Sequence, residues 1–476
     1  MRILHVASEL FPLLKTGGLA DVTGALPQAL GRLGADVRVL LPGFPAVLAG
    51  LRDAAEVALF STFAGPARLL YGTTDAGVAL YTIDAPQLYD RPGNPYHGAG
   101  QVPYADNHLR FAVLGWVAAQ LASGGDRYWR AEIIHAHDWH AGLAPAYLAA
   151  AGKPAKSVFT IHNLAYQGVF PEAAYAELDL PPDFFSIHGL EYHGQLSFMK
   201  AGIVYADRIT TVSPGYAREI TTPEQGCGLD GLLCQREAVL SGILNGVDDA
   251  VWNPAVDPLI EAPYSAAKPA GKSRCKAALQ QQCGLAERED APLFGVVSRL
   301  TEQKGLHLVL AGLGEITARG GQVVVLGSGD APMEATFRGA AEADSANVSV
   351  TIGYDEAFAH RIMAGCDVIM VPSRYEPCGL TQLYGLKYGA LPLVRRVGGL
   401  ADTVTDCSLE NLAEGRATGM VFDEFSVDGF VQGVRRAFAL WARTKDWKMV
   451  RRSGMQQDCS WQPVAERYLA LYRGIA

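Results

Sequence analysis

The chain has 476 residues, 49% of them apolar and 19% charged, with a formal net charge of −9. That length exceeds a single hydrophobic core and sets an expectation of two domains of ~200–250 residues each. The acidic balance argues against a nucleic-acid partner, and an anionic substrate would need positive charge gathered locally. Eight cysteines lie scattered without metal-ligand spacing, Cys227 and Cys234 being the nearest pair, and they read as reduced thiols of a cytoplasmic protein. Glu9 interrupts the first apolar run, so no signal peptide is expected. No apolar run reaches the ~18 residues of a membrane span.

The first strand is predicted over Ile3 to Ala7. It leads into Lys15-Thr16-Gly17-Gly18-Leu19-Ala20-Asp21, after which Leu19, Val22, Leu26, Ala29, Leu30 and Leu33 recur at helical spacing, with Gly34 placed to end the helix. The glycines thus sit at a strand-to-helix turn, where bare N–H groups and the positive end of a helix dipole face outward. Such a turn is an expected anion site, because Gly17 and Gly18 let a phosphate approach the backbone and Lys15 puts a mobile charge at its lip. A tight turn with a solvated lysine is the plainer alternative. Gly398-Gly399-Leu400-Ala401-Asp402 repeats Gly17 to Asp21 after a strand at Leu391 to Val394, with Arg396 two residues before its first glycine. Two such units suggest two α/β halves built on one plan.

Val37 to Leu41 reads as the second strand, closed by Pro42. Hairpins and a mobile loop are expected up to about Gly100, through Asp90-Arg91-Pro92-Gly93-Asn94-Pro95-Tyr96-His97. Phe111 to Leu121 reads as a helix. Strands follow at Ile133 to Ala136, ending in His137-Asp138-Trp139-His140; at Val158 to Ile161, ending in His162-Asn163; and at Arg208 to Val212, capped by Ser213 and Pro214. The pattern pauses at Ile243-Leu244-Asn245-Gly246-Val247-Asp248, where Pro254, Pro258, Pro263 and Pro269 come in quick succession. The predicted boundaries are therefore 1–245, 246–455 and a C-terminal helix in 456–476 that returns to the first domain. In the second half, Phe294 to Val297 leads into Ser298-Arg299-Leu300-Thr301-Glu302-Gln303-Lys304-Gly305. Val323 to Leu326, Val348 to Ile352 and Val368 to Val371 follow, the last leading into Pro372 to Thr381. Long helices are predicted over Val427 to Arg443 and Val464 to Tyr472. Alternating strands and helices imply mostly parallel sheets covered on both faces, with ligands at the carboxyl ends of the strands. Two such sheets facing across a cleft would hold a nucleotide on one side and its reaction partner on the other.

Arg299 and Lys304 straddle a helix start; a guanidinium and an ammonium there suit a diphosphate. Glu376, followed by Gly379-Leu380-Thr381 at a helix start, suits sugar hydroxyls, or is simply an acid at a helix N-terminus. His162 and Asp138 each end a strand and are placed to meet over the sheet edge. His135 and His137 alternate along a strand, and no Cys or paired acid completes a tetrahedral set with them, His140 and His162, so no metal is expected.

Taken together, Lys15 to Leu19, Ser298 to Gly305, Pro372 to Thr381, Tyr96-His97, His137-Asp138-Trp139, Thr160-Ile161-His162-Asn163, Asn245 to Asp248 and the second Gly-Gly-Leu-Ala-Asp resemble the bacterial and plant glycogen/starch synthases. The resemblance runs through nearly the whole chain in order. It implies a GT-B fold of two Rossmann-like, doubly wound domains. It also implies glucose transfer from ADP-glucose to the 4-hydroxyl of an α-1,4-glucan end with retained configuration, and no metal or cofactor. By position, Lys15 and Gly18 resemble phosphate-side donor contacts, and Arg299 with Lys304 the clamp on the leaving diphosphate. Tyr354 is similar to a base-stacking residue, and Glu376, Cys378, Gly379, Leu380 and Thr381 to the loop holding the glucosyl unit. His162 is similar to the histidine that contacts the sugar, with Asp21, Asp138, Asn163 and Asn245 around it, and Glu9, Tyr96 and His97 are further substrate-binding candidates. Many retaining GT-B enzymes carry a second glutamate eight residues after the first; here Tyr384 stands there. Another nucleotide-sugar enzyme of the same fold, such as a sucrose synthase-like transferase or an epimerase, and a non-catalytic glucan-binding regulator are the alternatives. The set Lys15, His162, Arg299, Lys304 and Glu376 favours catalysis over mere binding. No carboxylate lies on the His162 loop, so front-face substitution is expected rather than a double displacement.

Overall fold

The computed structural model describes residues 1–98, 100 and 102–476. They divide into two compact units, Met1–Gly246 with Trp461–Ala476, and Val247–Ser460.

The first unit is built on β1 (Arg2–Val6), β2 (Asp36–Pro42), β3 (Arg52–Thr62), β4 (Gly65–Thr73), β5 (Ala79–Asp84), β6 (Ile133–His137) and β7 (Lys156–Ile161). Three short strands, β8 (Val169–Pro171), β9 (Glu191–Tyr192) and β10 (Gln195–Ser197), form a separate small sheet that the sequence pattern did not reveal. With β11 (Arg208–Thr211) and β12 (Leu240–Gly242), the main sheet has nine strands in the order β12-β11-β7-β6-β1-β2-β5-β4-β3. All neighbours are parallel except β3–β4 and β4–β5. Strand order reverses direction between β1 and β6, which opens a crevice at their carboxyl ends.

Side chains alternate across this sheet because successive residues of a strand point to opposite faces. Ile3, Ile133 and Val158 pack on one face with Val22, Leu26 and Leu30 of the helix Gly18–Arg32 and with Trp461, Val464, Tyr468 and Tyr472 of the last helix, Trp461–Arg473. Leu4, Val6, Ile134 and Ala136 face the other way, into the larger core beneath the helix Asn107–Ala122.

The second unit holds one six-stranded sheet of β13 (Leu293–Val297), β14 (Gln322–Gly327), β15 (Val348–Ile352), β16 (Val368–Val371), β17 (Leu391–Arg395) and β18 (Met420–Phe422). Its order is β15-β14-β13-β16-β17-β18, parallel throughout, so this switch point lies between β13 and β16. The helix predicted to run to Arg443 stops at Trp441, and a further one, Thr444–Met455, follows. Tyr384 is core: it stacks on Trp252 with ring centroids 3.9 Å apart and planes 7° apart. Among the described residues, no helix is long and apolar enough to cross a membrane.

Candidate active site

In the first unit, the residues following β1, β6 and β7 converge because those strands are adjacent and parallel. The glycine turn after β1 is more occupied than its sequence implies. Glu9 is buried, and its carboxylate accepts from the Thr16 N–H at 2.6 Å, the Gly17 N–H at 3.2 Å and the Thr16 hydroxyl at 2.5 Å, as well as from the Tyr96 hydroxyl. The expected bare N–H groups of Thr16 and Gly17 are therefore already bonded to an anion of the chain itself. Lys15 forms an ion pair with Asp21 at 3.0 Å and lies over the Phe11 ring, 5.2 Å from its centroid. Gly17 and Gly18 are exposed, whereas Gly398 and Gly399 of the second copy are buried. A Cβ on Gly399 would come within 2.1 Å of the Cys378 carbonyl oxygen. The second Gly-Gly is thus a close-packing device beneath the Glu376 loop, where the Gly399 N–H donates to the Glu376 carbonyl at 3.0 Å. The shared pentapeptide does not make it a second open anion turn.

Tyr96 connects several of these groups. Besides Glu9, its hydroxyl is 2.9 Å from that of Ser8, and its ring stacks on His140 with centroids 4.5 Å apart. Its N–H and that of His97 both donate to Asn94 Oδ1, at 2.8 Å. Burial and the neighbouring Glu9 carboxylate push the Tyr96 phenol well up, so it stays a donor.

Asp138 follows β6 with φ 59°, a left-handed conformation that a non-glycine residue adopts only when its surroundings hold it there. Its N–H donates to the Thr160 carbonyl at 2.8 Å. Burial raises its carboxyl to about 7; the nearby N–H groups of Asn163, His162 and Trp139 oppose that shift, and the charge of Glu9 adds to it. Its Oδ1 has no hydrogen-bond partner among the described residues, and neither does Oδ1 of the buried Asn245 after β12. Asn163 uses Oδ1 to accept from the Ala165 N–H, which folds the loop after β7.

His5, which sequence reading missed, joins His135 and His137, which it weighed with His140 and His162. Residues two apart on a strand share a face, so His135 and His137 point the same way, and β1 brings His5 alongside. All three are fully buried, each with one nitrogen within 4.8 Å of the others. That grouping is compatible with a metal by ligand type, yet every ring nitrogen among the three is hydrogen-bonded within the protein except Nε2 of His5. The rings bond to one another and to Thr160, Tyr472 and His162.

In the second unit, Arg299 and Lys304 follow β13, and Glu376 follows β16 on the adjacent strand. Gly305, with φ 67°, lets the two loops meet: a Cβ there would lie 2.0 Å from the Pro372 carbonyl oxygen. The Arg374 N–H also donates to the Gln303 carbonyl at 2.8 Å. Held this way, Lys304 Nζ forms a 2.6 Å ion pair with Glu376 Oε2, which also accepts from the Ser373 hydroxyl at 2.8 Å. These side chains border a cavity of about 40 Å³ that also touches Ser298, Gly379, Leu380 and Thr381. Gln382 Nε2 donates to the carbonyls of Cys378 and Gly379, at 2.9 and 2.7 Å, which fixes the loop shape at the start of the helix Thr381–Tyr388. Cys378 is buried, Arg299 is exposed, and Tyr354, on the loop after β15, is 65% exposed. The second unit thus collects cations beside a carboxylate at its switch point, and the first collects carboxylates, histidines and amide groups at its own.

Comparison with known proteins agrees with this arrangement. Residues 2–235 match the family model described as the starch synthase catalytic domain, and residues 280–452 match glycosyl transferases group 1. The chain is 60% identical to the glycogen synthase of Variovorax paradoxus (strain S110) over 99% of its length and 98% of the relative's. It is 58% identical to that of Francisella tularensis subsp. novicida (strain U112), over 100% and 99%. Among solved structures it is similar to the catalytic domain of starch synthase IV from Arabidopsis thaliana bound to ADP and acarbose, with a TM-score of 0.90, 31% identity and 99% of both chains covered. Two Rossmann-like units, each with polar residues gathered at its switch point, and full-length similarity to these enzymes lead to one conclusion: the chain belongs to the glycogen synthase family of GT-B hexosyltransferases.

Proposed function

We propose that the chain transfers glucose from ADP-glucose to the non-reducing 4-hydroxyl of an α-1,4-glucan, with retention of configuration and no metal ion. The observation that carries this reading is the Lys304–Glu376–Ser373 cluster after the central strands of the second unit, with Arg299 on the same loop as Lys304. A leaving diphosphate needs fixed positive charge as its bond breaks, and preorganised cations provide it without reorganisation. Lys304 and Arg299 supply that charge, while Glu376 accepts hydroxyl hydrogens of the glucosyl unit. Tyr354, exposed on its loop, offers a ring face to the base. The ADP and acarbose held by the similar starch synthase IV support an adenine nucleotide and an α-glucan as partners here.

The first unit's groups serve the sugar. His162 contacts its hydroxyls, with Asn163 and Asn245 as amide partners and Lys15 as a further phosphate contact. Glu9 is engaged with the glycine loop and Tyr96, and Asp21 with Lys15. Asp138, with a carboxyl raised to about 7 by burial, is only about half ionised at neutral pH. These engagements favour front-face substitution, in which the departing diphosphate takes the acceptor's proton while a backbone carbonyl near His162 stabilises the cationic sugar. Radiolabelled ADP-glucose and UDP-glucose, each supplied with glycogen in the presence of EDTA, test the reading. Incorporation from ADP-glucose is expected; preference for UDP-glucose or loss of activity in EDTA would overturn it.

A further inference from the structure

His5, His137 and His162 form a continuous chain of nitrogen-to-nitrogen hydrogen bonds. His5 Nδ1 lies 2.8 Å from His137 Nε2, and His137 Nδ1 lies 3.0 Å from His162 Nε2. The rings of His5 and His137 lie edge to edge and nearly coplanar, with centroids 5.1 Å apart and planes 17° apart, the geometry that an in-plane nitrogen-to-nitrogen bond requires. Desolvation holds His5 and His162 down at about 3 and His137 well below its usual value, so each ring is neutral and carries one proton.

A neutral imidazole has one donor and one acceptor nitrogen, so the chain can run in only two directions. Either every proton points towards His162 or every proton points towards His5. In the second case Nε2 of His5 becomes an N–H donor, fully buried, with no partner among the described residues. Buried N–H groups are seldom left unpaired, because desolvating a donor without a partner is unfavourable. In the first case Nε2 of His5 is only a lone pair, His5 donates to His137, and His137 donates to His162. Nε2 of His162 is then an acceptor, and the ring's proton sits on Nδ1.

We infer that His5 and His137 are positioning residues that hold the proton of His162 on Nδ1, so that the imidazole presents an N–H donor to a substrate hydroxyl. The inference rests on the reading that His162 contacts the transferred sugar. Neither His5 nor His137 touches substrate; both act through His162. His135 anchors the layer from the side, with Nε2 at 2.6 Å from the Thr160 hydroxyl and Nδ1 at 2.6 Å from that of Tyr472.

The test combines ¹⁵N NMR of the histidine-labelled full chain with kinetics. In the parent, His162, assigned by the signal lost in His162→Gln, is expected to show a protonated Nδ1 and a bare Nε2. His5→Phe keeps a planar ring in the same buried position but deletes the donor, so the His162 proton should redistribute between its nitrogens. With it, kcat should fall about three- to tenfold, as expected for one lost neutral hydrogen bond, with KM for ADP-glucose nearly constant. His5→Asn places an amide N–H near the position of Nδ1 and should recover most of both losses, which a purely packing role for His5 would not allow. A parent His162 protonated on Nε2, or a His5→Phe variant with unchanged tautomer and kcat, overturns the inference. A parent with the expected tautomer but no glucosyl transfer would instead refute the functional reading and leave the tautomer assignment standing.

Discussion

In the free protein the ammonium proposed to meet the diphosphate, that of Lys304, is already paired with a carboxylate, and Glu376→Gln tests whether that matters. Lys304 Nζ sits 2.6 Å from Glu376 Oε2, so an incoming diphosphate must share the ammonium with an existing anion. A phosphate oxygen in contact with Lys304 would lie about 5 Å from that carboxylate, where two like charges repel by about 3 kcal/mol at an effective dielectric of ~20. The Lys304 side chain is 18% exposed. Solvent and salt therefore screen the interaction, and about half of it, ~1.5 kcal/mol, should survive. Glu376→Gln keeps the shape and the Ser373 contact but removes the repulsion, so ADP should bind about tenfold more tightly. Turnover should move the other way. A carboxylate that accepts sugar hydroxyls contributes about 1.5–3 kcal/mol, so kcat should fall roughly ten- to a hundredfold. Calorimetric titration with ADP at fixed ionic strength, alongside steady-state kinetics, reads both. Unchanged or weaker ADP binding in the variant would refute the assignment of Lys304 as a diphosphate contact.

Arg299→Ala should lower kcat roughly ten- to a hundredfold by removing one charge-assisted contact, with KM for glucan unaltered in initial-rate assays; near-normal turnover would remove Arg299 from the clamp. Glu9→Ala releases the glycine loop and Tyr96, and should cost about 2–4 kcal/mol, seen as a Tm lower by roughly 4–7 °C in thermal melts. Asp138 has a folded value of about 7, above its ordinary 3.8, so the folded state binds its proton more tightly than the unfolded state does. Its contribution to stability is therefore full below the unfolded value and is lost as pH rises through 7. Asp138→Asn should accordingly gain Tm relative to the parent at pH 8 and not at pH 4; equal offsets at both would refute the raised carboxyl. Gly305→Ala forces a side chain into left-handed backbone against Pro372 and should abolish activity even where circular dichroism shows a folded chain.

Most of the architecture was legible because parallel strands buried on both faces read as continuous apolar runs, and because the polar loops between them occur at predictable strand ends. Arg299, Lys304 and Glu376 were recognisable for that reason: each follows such a run directly. What stayed hidden depends on pairing between distant segments. Glu9 read as a substrate-side acid, and only the fold shows its carboxylate turned back onto the Thr16 and Gly17 amides. His5 carried no local signal, since its significance comes from the register of β1 against β6. The second Gly-Gly-Leu-Ala-Asp matched the first letter for letter, yet burial against Cys378 gives it a packing role. Composition likewise gave no sign that Tyr384 would be held by Trp252, a residue more than a hundred positions away.

The central claim is glucosyl transfer with retention, by residues that form no covalent sugar adduct. It is tested most directly by following ¹³C1-labelled ADP-glucose with a short α-1,4-glucan by NMR in EDTA, with intact-mass analysis of the enzyme under a slow 2-fluoro donor. The account predicts a growing α-1,4 anomeric signal matched one for one by released ADP, and an unmodified protein mass. A β-linked product, free glucose in place of chain extension, or a glucosyl adduct on any carboxylate would contradict it.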